Sequence, residues 1–330
     1  MPASPTPLLP LSVVIIALNE ESRIGDCIDS VACLSDDIIV VDAGSHDHTP
    51  EISRLKGARV FARAWNGYSA QKNFGNAQAR HSWILSLDAD ERLSPQLAAD
   101  IRHEFANNPS CEAYRLRFHN FIGGKRVRFG AWNPEFHIRL FNRHWLHWNQ
   151  DSVHEGLRST RLIRTKTLPG EVLHFTARSQ AELAHKNTGY AALFADKARR
   201  EGRQVSWTKV WFNPLWRFFR DYIIRAGFLD GLVGWQIACE GARYTFLKYR
   251  LIEPIPLRRN VPSRLALGAA AATLAALIAF IPGAARHSAL FSQQPTTPKT
   301  ELAPKPAQQA PAIVDQKPAQ KLPAPVTSVS

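Results

Sequence analysis

No Gly-x-Gly-x-x-Gly occurs anywhere among the 18 glycines of this 330-residue chain. A diphosphate therefore has no glycine-rich strand-to-helix turn whose backbone amides could cradle it, which argues against a dinucleotide-binding site. Cysteine is scarce as well. The four residues Cys27, Cys33, Cys111 and Cys239 form no Cys-x-x-Cys pair, so neither a disulfide framework nor a zinc site is expected, and they read as reduced, buried thiols of a cytosolic protein. No charged side chain occurs in the first nineteen residues. Pro2, Pro5, Pro7 and Pro10 break that stretch and no Lys or Arg precedes it, so it reads as a flexible leader over residues 1–10 and not as a signal peptide. Acidic residues are outnumbered, 28 against 41 Lys and Arg, leaving a formal net charge of +13. That surplus suits nucleic acid, an anionic membrane surface or a phosphorylated substrate.

What is present begins with alternation. Leu11–Ala17, Ile38–Asp42, Ala58–Phe61 and Trp83–Leu87 are short apolar or β-branched runs, and helix-forming segments separate them. Strand alternating with helix implies parallel pairing, with helices covering the sheet faces. Ser22 is placed to cap the first helix, Ser69 to open the third, and Ser94-Pro95 to start the fourth. In such folds ligands gather at the carboxyl ends of strands. Three of those ends are polar here: Asn19-Glu20-Glu21, Asp42, and Asp88-Ala89-Asp90-Glu91. The last puts three carboxylates within four residues, where they repel one another unless a cation sits among them. Oxygen ligands suit Mg²⁺ or Mn²⁺ shared with substrate phosphates.

Four motifs, each at a strand or helix end, carry a family resemblance: Ser12–Glu21, Asp42–Thr49, Gln71-Lys72-Asn73 and Leu87–Glu91. Together they resemble family-2 glycosyltransferases of the GT-A fold, and within them the branch of lipopolysaccharide core heptose β-1,4-glucosyltransferases, over roughly Leu11 to Arg250. The resemblance implies an α/β GT-A domain, Rossmann-like, with a mainly parallel sheet flanked by helices. It also implies a nucleotide-sugar site at Asn19, Glu20, Asp42, Lys72, Asn73 and Asp88. Asp42 would accept a hydrogen bond from uracil, Lys72 would lie near the nucleotide or its diphosphate, and Asp88 would contact ribose or a metal-bound water. Asp90 would ligate Mg²⁺ or Mn²⁺, with Asp88 sharing the metal. Ala17, His46 and His48 depart from the family pattern. His48 stands where glycine is usual, which predicts a positive φ.

Inverting transfer needs a base across the sugar from the departing diphosphate, hence from another segment. Glu155 in Val153-His154-Glu155 is the first candidate and Asp151 the second; the competing reading pairs them with Arg158 or Arg161 at the surface. His154 or His174 could add a third metal ligand, the competing reading being hydrogen-bonded core histidines. A glycosidase would also use two carboxylates, but has no use for a nucleotide site or a metal.

The domain plan that follows is a catalytic domain over 11–178, its donor half 11–95 and its acceptor half 96–178. Ser179 and Glu182 then open a helical region over 179–259 as a capping box. Aromatics there, such as Trp211, Trp216 and Phe219, are interleaved with Lys209, Arg217 and Arg220, which suits a helical, membrane-associated extension on an anionic leaflet. Single-stranded nucleic acid also favours aromatics among cations, but the block lies outside the sheet, so no nucleic-acid partner is expected. Residues 265–285 carry no charge and would span roughly 31 Å as a helix, about a bilayer core. With Arg258, Arg259 and Arg264 before it, a spanning helix would leave the enzyme on the cytoplasmic face of a bacterial inner membrane and the tail in the periplasm. Residues 286–330, rich in Pro, Ala, Lys and Gln, read as a disordered tail.

The expected activity is transfer of a sugar, glucose by the resemblance, from a UDP-sugar to a lipid-linked saccharide of the lipopolysaccharide inner core, a heptose. A polyprenyl-phosphate or other envelope glycan acceptor would use the same donor half. A catalytically inactive GT-A membrane interaction protein is the alternative of a different class.

Overall fold

The computed structural model describes residues 7–149, 156–159, 161–252 and 254–255. The candidate residues Asp151, His154 and Glu155, the segment 265–285 and the tail 286–330 lie outside the described residues.

Apolar runs with no polar interruption can be buried on both faces, and they build the first half as read. β1 (Leu11–Ala17), α1 (Ile24–Ala32), β2 (Asp37–Asp42), α2 (Thr49–Leu55), β3 (Arg59–Ala62), α3 (Tyr68–Gln78) and β4 (Trp83–Asp88) follow in order. β1 pairs in parallel with β2 and β4, and β3 with β2. The register sets Ala17 beside Asp42 and Ile16 beside Asp88, so the polar strand ends lie side by side.

The chain then reverses. β5 (Glu91–Leu93), α4 (Pro95–Ala106), β6 (Ala113–Ile122), β7 (Lys125–Arg126), β8 (Glu135–Asn142), β9 (Leu146–Trp148), β10 (Leu157–Ser159) and β11 (Thr165–Ala177) follow before the C-terminal helices. β8 is antiparallel to both β4 and β6, β11 is parallel to β6, and β5 is antiparallel to β11. Among the described residues the main sheet runs β3-β2-β1-β4-β8-β6-β11-β5, with β7 on β6. It is a mixed sheet flanked by helices and not a mainly parallel one. Because β11 returns to β5, residues far along the chain, such as His174, stand beside Asp88–Glu91.

One core lies between the sheet and α1 and α4, where Ile24, Ile28, Leu97 and Ile101 meet Val13, Ile15 and Leu85. The opposite face packs under α3, where close approach demands Gly75. A Cβ there would lie 2.3 Å from Val14 Cγ1, a β-branched side chain with no exposure and no room to turn. Gly75→Ala should therefore lower stability by about 1–3 kcal/mol, as overpacking does. An unchanged urea midpoint would disprove that contact.

α5 (Gln180–Arg200), the two-residue β12 (Val205–Ser206), α6 (Trp207–Phe219), α7 (Gly231–Arg250) and β13 (Pro254–Ile255) form the helical C-terminal part. α7 packs on α5 and α6. No described helix is long and apolar enough to cross a membrane.

Local expectations fare unevenly. Ser94 Oγ accepts from Leu97 N at 3.2 Å, as read. Ser22 caps nothing: Arg23 precedes α1, and the Arg23 and Ile24 amides donate to Glu20 O instead. α3 opens at Gly67-Tyr68, before Ser69. Ser179 Oγ accepts from Glu182 N, but the Glu182 carboxylate accepts from Arg178 N, so the capping box is half formed. His48 has φ −77° and is not left-handed; the positive φ belongs to Asn19, at 55°. Cys27 and Cys239 are buried, whereas Cys33 is exposed and Cys111 half-buried.

Candidate functional site

The β1 and β2 ends are knitted together before any ligand arrives. Asn19 N donates to Ser45 Oγ at 2.9 Å, and Asn19 Oδ1 accepts from His46 N at 2.9 Å. Those two bonds hold the left-handed backbone that Asn tolerates better than most residues. Glu20 N donates to Thr49 Oγ1 and Glu21 Oε2 accepts from His48 N. Asp42, 4% exposed, accepts from Gly44 N, Ser45 N and Ser45 Oγ at 3.1, 3.0 and 2.5 Å. A carboxylate offers about four lone-pair directions, so Asp42 holds its loop with capacity for one more donor.

Lys72 and Asn73 face inward. Lys72 is fully buried, its Nζ 3.1 Å from Asp88 Oδ1 and 4.7 Å from the Trp148 ring centre. Asn73 spends both ends of its amide on Trp148, accepting from its N–H at 3.0 Å and donating to its carbonyl at 2.9 Å. Asn73 thus pins β9 to α3.

At the end of β4 the carboxylates divide the work. Asp88 stands between two cations, Lys72 and Arg139, each at 3.1 Å. Burial favours its neutral form, but those two charges hold its carboxyl well below the usual range. Glu91 is 1% exposed. It accepts from Arg139 at 2.6 Å and from Asp88 N at 3.0 Å, closing the turn between β4 and β5. Burial pushes Glu91 up to about 7, Arg139 offsetting only part of the effect that Asp88 reinforces. Arg92, the next residue, pairs with Asp26 at 2.6 Å.

Asp90 looks the other way. Its Oδ2 lies 3.5 Å from His174 Nε2 and 3.7 Å from Lys186 Nζ. β11 brings His174 opposite Glu91 and α5 brings Lys186. Burial opposes its charge, but the bond from His174 keeps Asp90 below the ordinary carboxylate range. Burial disfavours charge on His174 too, yet Asp90, with Glu91 and Asp88 behind it, outweighs this and lifts the imidazole to about 8. Beyond Lys186 the polar chain runs through Glu182 at 3.5 Å and Arg23 at 3.1 Å to Glu20 at 3.0 Å. Burial first and Asp90 second raise Glu20. Asp88, Asp90, Glu20 and His174 are therefore one electrostatic group.

A divalent metal needs anionic or imidazole donors about 3 Å apart, for bonds near 2.1 Å at right angles. Asp90 and His174 come close to that. Among the described residues no three His, Cys, Asp or Glu side chains form a metal cluster. The two donors would leave most positions to water and substrate oxygens, the usual arrangement for Mg²⁺ with phosphates.

The pairing carries its own pH test. Because folding raises His174 from about 6.5 to about 8, its stabilising contribution is complete below pH 6.5 and disappears as pH rises through 8. The shift corresponds to roughly 2 kcal/mol. In chelator, stability lost between pH 6 and pH 9 should be smaller by about that amount in His174→Gln than in the parent chain. Identical losses in the two proteins would contradict the pair.

Sequence reasoning left Arg139, Glu91, Lys186 and Glu135 without a role. Glu135 and His137 sit on the same face of β8 as Arg139. The Glu135 carboxylate accepts from Asn120 Nδ2 at 2.7 Å and pairs with His137 Nε2 at 2.8 Å. Burial opposes its charge, but those partners, with His174 nearby, keep it below the usual range. The one available signal was alternation along Glu135–Arg139, which puts three polar side chains on one face of a strand.

The family model described as Glycosyl transferase family 2 matches residues 12–166. An uncharacterized glycosyltransferase of Rickettsia typhi is 30% identical over 263 residues, 76% of this chain and 89% of that one. A protein of Rhizobium meliloti named lipopolysaccharide core biosynthesis glycosyltransferase LpsC is 30% identical over 247 residues, 73% of this chain and 91% of that one. Among solved structures, glucosyl-3-phosphoglycerate synthase from Mycobacterium tuberculosis with Mn²⁺, UDP and glucosyl-3-phosphoglycerate is 25% identical. It overlaps 34% of this chain and 44% of its own, with a TM-score of 0.28, too low to carry an argument.

Proposed function

The chain belongs to glycosyl transferase family 2, and from that premise we propose that it transfers glucose, with inversion, from a UDP-sugar to a heptose of the lipopolysaccharide inner core. One observation carries the reading. Asp88 is neutralised inside the protein by Lys72 and Arg139, which leaves Asp90, with His174 and Lys186 beside it, as the carboxylate available to a cation. The acceptor class rests on the relative named for lipopolysaccharide core biosynthesis.

In this reading Asp90 and His174 hold Mg²⁺ or Mn²⁺, which when bound supplies Lewis-acid stabilisation of the departing UDP. Lys186 adds a fixed positive charge beside Asp90, already oriented by Glu182 and Thr176 O. Asp42 offers its remaining lone pair to the uracil N–H. His174 must give up its proton to serve as a ligand, so metal binding would release a proton below about pH 8. Glu135, held ionised by its partners, is a weak base and suits acceptor hydroxyls as a hydrogen-bond acceptor. The base role stays with Glu155, then Asp151.

The test is UDP release by purified full-length protein with several UDP-sugars, with and without Mn²⁺, followed by mass analysis of lipopolysaccharide core from a deletion strain. Metal-dependent UDP release and a core lacking one hexose are expected. An unaltered core would remove the acceptor assignment, and absence of both turnover and nucleotide binding would remove the enzyme reading.

A further inference from the structure

The helical C-terminal part exposes an apolar stripe that the strand-end site does not use. Phe212, Trp216 and Phe219 recur at i, i+4 and i+7, one face of α6, Ile223 follows in the next turn, and the four are 47–58% exposed. Past the Arg220–Ile224 π turn the surface continues through Phe228, Leu229 and Leu232, the last 67% exposed. α6 does not need this stripe for its own core. Its other side is already packed on α7, with Trp211 against Phe246 at 5.4 Å and Phe218 against Trp235 at 5.2 Å. Large apolar side chains left exposed together in one stretch of chain mark an interaction surface.

Charge decides what the stripe fits. Asp221 is 2% exposed and gathers three guanidiniums: Arg217, Arg220 at 2.8 Å and Arg225 at 3.8 Å. One carboxylate balances one of them, so two positive charges remain at the border of the stripe. Each arginine is also 30–46% exposed, with donors left for an outside anion. Arginine matches phosphate geometry and is weakly hydrated, which suits it to a lipid headgroup layer.

We propose that this stripe and its arginine border dock on an anionic phospholipid bilayer, the apolar side chains entering the headgroup–acyl boundary and Arg220 and Arg225 meeting lipid phosphates. Two further facts agree. In the sequence, the chain beyond the stripe continues past Arg258 and Arg259 into a run over 265–285 that carries no charged side chain. The stripe is also tied to the catalytic part: Arg128 N and Phe129 N donate to Asp230 Oδ2, and Gly130 N donates to Arg225 O. Those residues lead into β8, which carries Glu135, His137 and Arg139. Docking would therefore hold the acceptor side of the site at the lipid surface. That consequence rests on the proposed function; the docking itself does not.

The experiment is vesicle flotation of the full chain on phosphatidylcholine alone and on phosphatidylcholine with phosphatidylglycerol, with sedimentation velocity in parallel. Trp216→Ser/Phe219→Ser/Leu232→Ser should lower partitioning onto anionic vesicles roughly tenfold or more. Arg220→Gln/Arg225→Gln should lower it roughly tenfold on anionic vesicles and leave neutral ones unchanged. Thermal melts of both variants confirm that they fold. Undiminished partitioning of the folded triple variant overturns the proposal, as does a wild-type dimer that the triple variant converts to monomer, since the stripe would then be an interface between copies. If UDP release fails in every protein while flotation follows the predicted pattern, the proposed function falls and the docking surface stands.

Discussion

Asp90→Asn should abolish sugar transfer nearly completely, by about 10³-fold or on the order of 4 kcal/mol, while the protein stays folded. Asparagine keeps the shape of the side chain and removes the charge. Asp90 has looser cationic neighbours than Asp88, His174 at 3.5 Å and Lys186 at 3.7 Å against two contacts at 3.1 Å. The imidazole can give up its proton, so in the proposed reading the loss of the Asp90 charge falls on the bound cation. Asp88→Asn should behave in the opposite order. It would put a neutral amide against fully buried Lys72 and would leave Arg139, which is 6% exposed, with Glu91 in place of two carboxylates. Uncompensated buried charge is costly, so stability should fall before chemistry is reached. Turnover at saturating UDP-sugar and the urea midpoint, measured on both variants, separate the two roles. Near-normal turnover by Asp90→Asn would remove Asp90 from the metal assignment, and an Asp88→Asn protein as stable as the parent would contradict the enclosed charge triad.

That division was only half legible in the sequence. β1, β2 and β4 announce themselves because strands buried on both faces tolerate almost no polar residue, and their ends show where apolar runs stop at Asn19, Asp42 and Asp88. The same logic fails for β5. It is three residues long, begins with a buried glutamate and pairs with β11, about eighty residues later. No local period encodes such a partner, so Glu91 reads as one more acid in an acidic loop. His174 was visible as a histidine on an apolar strand, but its neighbour Asp90 comes from that same non-local pairing. Asn73 shows the converse case. Its motif belongs to the family resemblance, and its amide is occupied by the backbone of Trp148. A polar side chain near a helix start can serve the fold or a ligand, and residue type alone does not separate the two. The loop after β2 makes the same point: His48 at a glycine-like position drew the expectation of positive φ, whereas Asn19 across the crevice adopts it.

Arg139→Met is the second variant with a large expected effect, a loss of about 3–5 kcal/mol of stability. Arg139 reaches Glu91 at 2.6 Å and Asp88 at 3.1 Å from inside the sheet. Methionine fills similar volume, so the loss measures charge and hydrogen bonding more than a cavity. The two abandoned carboxylates differ in what they can do. Asp88 still has Lys72, whereas Glu91, already lifted to about 7, can take up a proton. The variant should therefore be less destabilised in mild acid than at pH 8. Adding Glu91→Leu to Arg139→Met should recover at least part of the loss, because the most buried unpaired acid is removed with its partner. Activity should fall too, although Arg139 would touch no substrate. Glu91 closes the turn through Asp88 N, and Asp90 sits in that turn. Arg139 is thus a positioning residue for Asp90, the proposed metal ligand. Its variant should lose metal affinity in a calorimetric titration while Asp90 itself is unchanged. A full loss of stability with metal affinity intact would confine Arg139 to the fold, and no loss of either would mean that the buried triad contributes nothing.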